Sequence, residues 1–239
     1  RYYLASVYAE TGENDRAIEE FERIPESDEL FVNARLQIAS IYQQQGQMED
    51  AVKQVRHAQR AQPNDPDLLG YEAALLAELK RFDDAIEVLQ KLLEIDPDNL
   101  AARVSYARVL YLDGQSAAAE QQLDSVLERD PQQLLARLML GILLQSQGKA
   151  GPAAAHYREV LRLDPRHDGA HFFLANLLFN QGRFAAAAEH YGAALAVNAD
   201  IPPARLLQLV AWHRAGRPDR DIAERLEQLT GQYPDRPRL

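Results

Sequence analysis

The chain has 239 residues, with 26 Lys and Arg against 36 Asp and Glu, a net charge of −10 and no cysteine. The missing thiols exclude disulfides, thiol catalysis and thiolate metal sites, and the acidic balance argues against nucleic acid, whose phosphates need concentrated Lys and Arg. No apolar run approaches the roughly 18 residues of a membrane span, so direct membrane insertion is not expected.

Apolar residues recur at three- and four-residue steps almost throughout, a helical period. The spacing predicts a helix over 1–11, a turn at Gly12 and a helix over 15–24. Pro25-Glu26-Ser27-Asp28 reads as a loop with helix-start residues, and the next helix is expected from Asp28 or Glu29 to Gln45. Further helix pairs turn at Gly46, Lys80, Gly114, Gly148, Gly182 and Gly216. The clearest pair spans 170–198, with its turn at Gln181-Gly182-Arg183. In the last pair Ile222, Leu226 and Leu229 keep one apolar stripe while Asp221 and Arg225 replace the small and aromatic markers. A helix with one apolar and one charged face suits the end of an array. The tail, 232–239, is expected to fray.

These pairs are copies of one another. Steps of 34 from Ala187 land on Ala153, Ala119, Ala85, Ala51 and Ala17. Four residues later come Phe21, Val55, Leu89, Leu123, Tyr157 and Tyr191, and Pro63, Pro97, Pro131 and Pro165 keep the same spacing. Alanine suits a helix crossing, where a larger side chain would overpack by roughly 1–3 kcal/mol. Glycine takes the left-handed backbone that ends the first helix of a pair. Proline tolerates a first helical turn and is expected to open the next pair.

The 34-residue period and the Gly, Ala, aromatic and Pro markers resemble the tetratricopeptide repeat (TPR) family over essentially the whole chain. The resemblance implies an all-α solenoid of antiparallel helix pairs in a right-handed superhelix, with the first helices lining a concave groove. The repeats would run approximately 1–29, 30–63, 64–97, 98–131, 132–165, 166–199 and a capping 200–231, as a single array. It says little about the particular role, because such arrays serve many unrelated assemblies; a protein or peptide partner held in the groove is expected, and no enzymatic activity.

On the resemblance, Phe172, Asn176 and Phe179 line the groove, at i, i+4 and i+7. The equivalent positions are Tyr2, Ser6 and Ala9; Leu36, Ser40 and Gln43; Gly70, Ala74 and Ala77; Val104, Arg108 and Tyr111; Leu138, Ile142 and Gln145; and Leu206, Val210 and His213. The third repeat is bare of side chains and is bounded by Tyr71, Arg108 and Tyr111. The later repeats are apolar and aromatic, with Met139 and Phe173 beside the stripe, as a partner site would be. The candidate partner face is therefore Tyr71, Arg108, Tyr111, Met139, Ile142, Phe172, Phe173, Asn176 and Phe179. Burial between neighbouring repeats is the competing account for Leu138, Ile142, Leu206 and Val210, and for Phe172, Phe179 and Tyr111. Arg108 is expected to pair with Glu78 or another acid rather than with a ligand carboxylate. The Lys, Asn and Arg clamp with which some TPR proteins hold chaperone tails is missing: its places hold Tyr2, Ser6, Leu36, Ser40, Gly70 and Ala74.

Little else suggests chemistry. His167 and His171 stand four apart, but one falls in a loop and the other on a packing face, so no metal is assigned. His156 and His190 each precede a packed tyrosine and read as half-exposed helix residues. No phosphate loop, nucleophile motif or cofactor signature appears. Self-association through the array ends, with Tyr2 and Tyr3 free, is the alternative to partner binding; a regulatory segment of a larger enzyme or cell-envelope complex is another. The chain opens on Arg1 in mid-repeat. It is expected to be a soluble piece of a longer protein, cytoplasmic in the first place, with a periplasmic or envelope-associated setting left open.

Overall fold

The computed structural model describes residues 1–218, 220 and 222. The closing helix expected around Asp221, Arg225, Leu226 and Leu229, and the tail 232–239, lie outside the described residues; of that helix only Ile222 falls within them, half-buried. Among the described residues there are thirteen helices and no strand. They are α1 (Tyr2–Glu10), α2 (Asn14–Glu22), α3 (Phe31–Gln44), α4 (Met48–Ala61), α5 (Pro66–Glu78), α6 (Phe82–Ile95), α7 (Leu100–Leu112), α8 (Ser116–Arg129), α9 (Leu134–Ser146), α10 (Ala150–Leu163), α11 (Asp168–Asn180), α12 (Phe184–Val197) and α13 (Pro202–Arg214). The chain divides into two compact units, residues 1–126 and the remainder from Leu127.

Within each unit the helices form hairpins, and each second helix also packs on the first helix of the next hairpin: α2 on α3, α4 on α5 and α6 on α7 in the first unit, α10 on α11 and α12 on α13 in the second. The markers explain the packing. Ala17, Ala51, Ala85, Ala119, Ala153 and Ala187 are completely buried, and so, to within one per cent, are Phe21, Val55, Leu89, Leu123, Tyr157 and Tyr191. Covering each of these large side chains contributes about 1.5–3 kcal/mol.

The turns close by the same backbone bonds in every copy. The N–H two residues beyond the first helix's last turn reaches back across it, as in Glu13 to the Tyr8 carbonyl (2.8 Å), Gln47 to Tyr42 (2.8 Å) and Arg183 to Leu178 (2.9 Å). This closure needs a left-handed residue. Glycine supplies it at 12, 46, 114, 148, 182 and 216, and Lys80 is forced into the same conformation at φ 58°.

The proline expectation needs correction. Pro97, Pro131 and Pro165 precede their helices by three residues; among these closures only Pro66, after Pro63, sits in a first turn. A residue before proline is pushed toward extended backbone: Asp164 ends its helix extended, and Asp96 leaves the helical region at φ −130°, ψ 84°. The chain then turns and is capped three residues later. Asp65, Asn99, Gln133 and His167, again 34 apart, accept from the N–H groups of Leu68 (3.2 Å), Ala102 (2.9 Å), Ala136 (2.8 Å) and Ala170 (3.2 Å). The helix expected from Asp28 or Glu29 likewise begins later, at Phe31, because Asp28 spends its carboxylate on the Leu30 N–H (2.9 Å).

A periodic polar tie, invisible to the marker pattern, joins the two helices of most hairpins. Arg1 meets Glu20 (3.2 Å), Arg35 meets Gln54 (3.3 Å), Arg103 meets Gln122 (3.0 Å) and His171 meets His190 (2.9 Å), all 19 residues apart. The same first-helix residue also reaches a loop carbonyl six residues back: Arg103 to Pro97 (2.9 Å), Arg137 to Pro131, His171 to Pro165 (3.1 Å) and Arg205 to Ala199. In the third hairpin the pair is Leu69 and Val88, packed together in an apolar cluster.

Candidate functional site

In the second unit α9 and α11 carry six of the nine candidate residues. Met139, Ile142, Phe172, Phe173, Asn176 and Phe179 are all half-buried, whereas their helix neighbours Leu138, Leu174, Ala175, Leu177 and Leu178 are buried. The division follows the helical period: one stripe of α11 faces its hairpin partner and the next stays partly open. Burial between repeats therefore accounts fully for Leu138, whereas Phe172 and Phe179 are covered only in part. Leu206, one repeat on, is 56% exposed, and Val210 is half-buried.

The aromatic rings form a continuous ladder across three helices. Tyr157 of α10 stacks on Phe173 at 5.8 Å, Phe173 meets Phe172 edge-on at 5.6 Å, and Phe172 leans on Tyr191 of α12 at 6.0 Å. Phe179 meets Phe184 edge-on at 5.2 Å, across the turn. Offset and edge geometries of this kind fix ring positions beyond what area burial alone supplies. The two buried tyrosines also hold the polar groups of the face. The Tyr191 hydroxyl donates to Asn176 Oδ1 (2.6 Å) and the Tyr157 hydroxyl to Gln145 Oε1 (2.8 Å). Burial pushes the Tyr191 phenol up to about 12, so it remains a donor throughout the physiological range.

The remaining three candidates lie in the first unit. Tyr71 of α5 is half-buried and donates to Gln43 Oε1 (2.9 Å), while Gln43 Nε2 donates to Glu78 (3.3 Å). Burial, then the Glu78 carboxylate, raises the Tyr71 phenol above its ordinary value. The expected Arg108–Glu78 pair is not formed: Gln43 takes the Glu78 oxygen, and Arg108 stands exposed without an ion pair among the described residues. Tyr111 is half-buried on the last turn of α7. The supposedly bare third repeat is only partly open, since Ala77 is 8% exposed while Gly70 and Ala74 are half-buried.

Three features were missed by sequence reasoning. Tyr157 and Tyr191 were read as core markers, yet their hydroxyls reach through the hairpin to the candidate face. His171 and His190 were read separately, though a spacing of 19 is the separation of the recurrent tie and was a usable signal. Glu72, at 4% exposure, accepts from Arg56 Nε (2.6 Å) and Gln59 Nε2 (2.8 Å) of the preceding helix, at a position where Ile38, Leu140 and Leu174 are apolar.

The polar groups of this face in the second unit are carboxamides held by tyrosine hydroxyls, groups suited to hydrogen-bonding a ligand. No helix among the described residues is long and apolar enough to cross a membrane.

Comparison with known proteins places this architecture. No curated protein matches the chain in sequence. Among solved structures, PilW, described as a widely conserved type IV pilus biogenesis factor, superposes with TM-score 0.71 at 22% identity, over 88% of this chain and 96% of that one. A tetratricopeptide repeat protein from Parabacteroides merdae gives TM-score 0.67 at 19% identity, over 95% and 96%. PilF of Pseudomonas aeruginosa gives 0.67 at 22%, over 86% and 93%. At these identities the likeness is one of fold. Tetratricopeptide repeat models match residues 76–140 in one version and 36–99, 138–196 and 174–237 in another, and the chain belongs to the tetratricopeptide repeat family.

Proposed function

We propose that this protein is a scaffold that binds a partner polypeptide on the aromatic face of α9 and α11. Tetratricopeptide arrays are in general protein-interaction modules, and the observation supporting this site is the half-open pair of rings Phe173 and Phe172, backed by the buried Tyr191, beside Asn176. Covering a Phe from water contributes about 1.5–3 kcal/mol, so two or three such anchors support micromolar binding. Amides held by buried tyrosines offer N–H groups to a partner's carbonyls without rearranging. Tyr71, Arg108 and Tyr111 form a second patch, in which the exposed guanidinium suits a carboxylate.

The test is capture of partners by wild type and by Phe172→Glu/Phe179→Glu, with helicity checked by circular dichroism. Loss of the captured set with the fold intact supports the face; unchanged capture rejects it.

Self-association is the second reading, favoured by α1. Tyr3, Leu4 and Val7 are 78%, 47% and 53% exposed, whereas the repeat equivalents of Leu4 and Val7, such as Ile38 and Ile41, are buried. Tyr2 is not free: its ring packs on Phe21 at 5.4 Å. Light scattering that shows a monomer for both wild type and Leu4→Glu/Val7→Glu would dispose of this reading.

A further inference from the structure

His171 on α11 and His190 on α12 face each other across their hairpin, with Nδ1 atoms 2.9 Å apart and ring centroids 5.2 Å apart. The other nitrogen of His171, Nε2, lies 3.1 Å from the carbonyl oxygen of Pro165. A carbonyl only accepts, so Nε2 of His171 carries the proton and its Nδ1 keeps a lone pair. His190 therefore donates through Nδ1–H and holds its own lone pair on Nε2. This is the neutral arrangement that satisfies both contacts at once.

Acid attacks it in two stages. A first added proton goes to Nε2 of His190 and leaves the N–H···N bond in place. A second has to take the accepting nitrogen itself, which destroys the bond and sets two imidazolium rings against each other. The surroundings oppose charge here. Burial, then His171, then Arg158 of α10 lower His190 below the ordinary histidine value, while Glu189 on α12 acts in the other direction. Of the helices packed on this hairpin, α13 carries Arg205, bonded to the Ala199 carbonyl, and α10 carries Glu159, paired with Arg162. At the head of α11, His167 caps the helix and Asp168 is engaged with Asn198 (3.1 Å).

We propose that the His171–His190 pair is an acid-operated clip: at neutral pH its shared hydrogen ties α11 to α12, and further protonation parts the rings and loosens the hairpin. Three other hairpins tie with Arg and Glu or Gln instead (Arg1 with Glu20, Arg35 with Gln54, Arg103 with Gln122), and these arginines keep their charge throughout this range. The clip lies on the hairpin that carries Phe172, Asn176 and Phe179, so acid also disturbs the candidate face; that consequence rests on the function proposed above, whereas the clip itself does not.

The direction follows from proton linkage. Below about pH 6.5 an unfolded His190 binds a proton that the folded one, buried and beside His171 and Arg158, resists, so this share of the hairpin's stability is complete above that value and is lost as pH falls. The experiment is hydrogen exchange of the α11 and α12 amides in the full chain at about pH 7.5 and about pH 5, corrected for intrinsic exchange. Wild type is expected to lose protection by about tenfold or more across this interval. His190→Gln, whose amide can still donate to His171 but does not titrate, is expected to lose markedly less. Equal losses in the two proteins would overturn the proposal. Nitrogen chemical shifts of wild type provide an independent check that needs no variant. Opposite tautomers in the two rings at neutral pH support the clip, and matching tautomers reject it. Neither readout needs a partner, so failure of the clip and failure of the binding face are told apart.

Discussion

The Tyr191 hydroxyl, on a side chain wholly buried in α12, donates to the Asn176 carboxamide on the partly open side of α11 at 2.6 Å. One bond thus links the core of a hairpin to the orientation of a group on its candidate binding face. Tyr191→Phe keeps the ring and removes the donor, an expected loss of about 1 kcal/mol in denaturant unfolding. Asn176→Ala strands the buried hydroxyl and is expected to cost about 1–3 kcal/mol. A double-mutant cycle between the two changes should show coupling, as residues in direct contact do.

Tyr191 also sets an alkaline limit. The folded phenol holds its proton until about 12, whereas an unfolded tyrosine releases it near 10. The folded state therefore binds more protons between these values, and stability that is complete below pH 10 declines as pH rises toward 12. Unfolding midpoints measured across this range should fall less steeply in Tyr191→Phe than in wild type.

Glu72 is a buried carboxylate held by Arg56 and Gln59 of α4. Arg56→Ala leaves it without its counter-charge and is expected to destabilise by about 1–3 kcal/mol, toward the lower end because Arg56 is half exposed. Glu72→Leu places an apolar residue where equivalent helices already carry Ile38, Leu140 and Leu174, and is expected to be neutral or stabilising. Denaturant midpoints for the pair of variants provide the check.

Two glycines inside helices should respond oppositely to alanine. A Cβ at Gly141 would sit 2.5 Å from Cε1 of the buried Tyr157 ring, so Gly141→Ala is expected to cost about 1–3 kcal/mol and to disturb the stack on Phe173. At Gly70 the added Cβ meets nothing closer than Leu92 Cδ1 at 3.9 Å, and Gly70→Ala should stabilise by about 0.5–1 kcal/mol through helix propensity. Thermal melts of both variants decide the matter.

Lys80 holds the left-handed turn position that glycine fills in the other hairpins. That conformation costs a residue with a Cβ about 1–2 kcal/mol, partly offset by the greater freedom of glycine in the unfolded chain. Lys80→Gly is expected to raise the unfolding midpoint, equivalent to about 0.5–1 kcal/mol.

The hairpins were legible because each marker depends on a local or periodic cause. Ala187 must be small wherever two helices cross, Gly182 must be left-handed wherever the turn closes, and both recur every 34 residues. The proline rule failed for a local reason too. Pro97 fits a first helical turn in principle, but the capping bond of Asn99 starts the helix later, and no propensity distinguishes the two choices.

By itself the sequence determined the fold class, the repeat period, the turns and the buried alanine and aromatic positions, because backbone conformation and core volume are fixed by residues near one another or one period apart. Only the tertiary structure decided that Gln43 rather than Arg108 takes Glu78, that Tyr191 reaches Asn176, and that His171 and His190 share a hydrogen. Long polar side chains have several partners within reach, and which one they meet is settled by how packed helices aim them, a matter of distances that no residue pattern records.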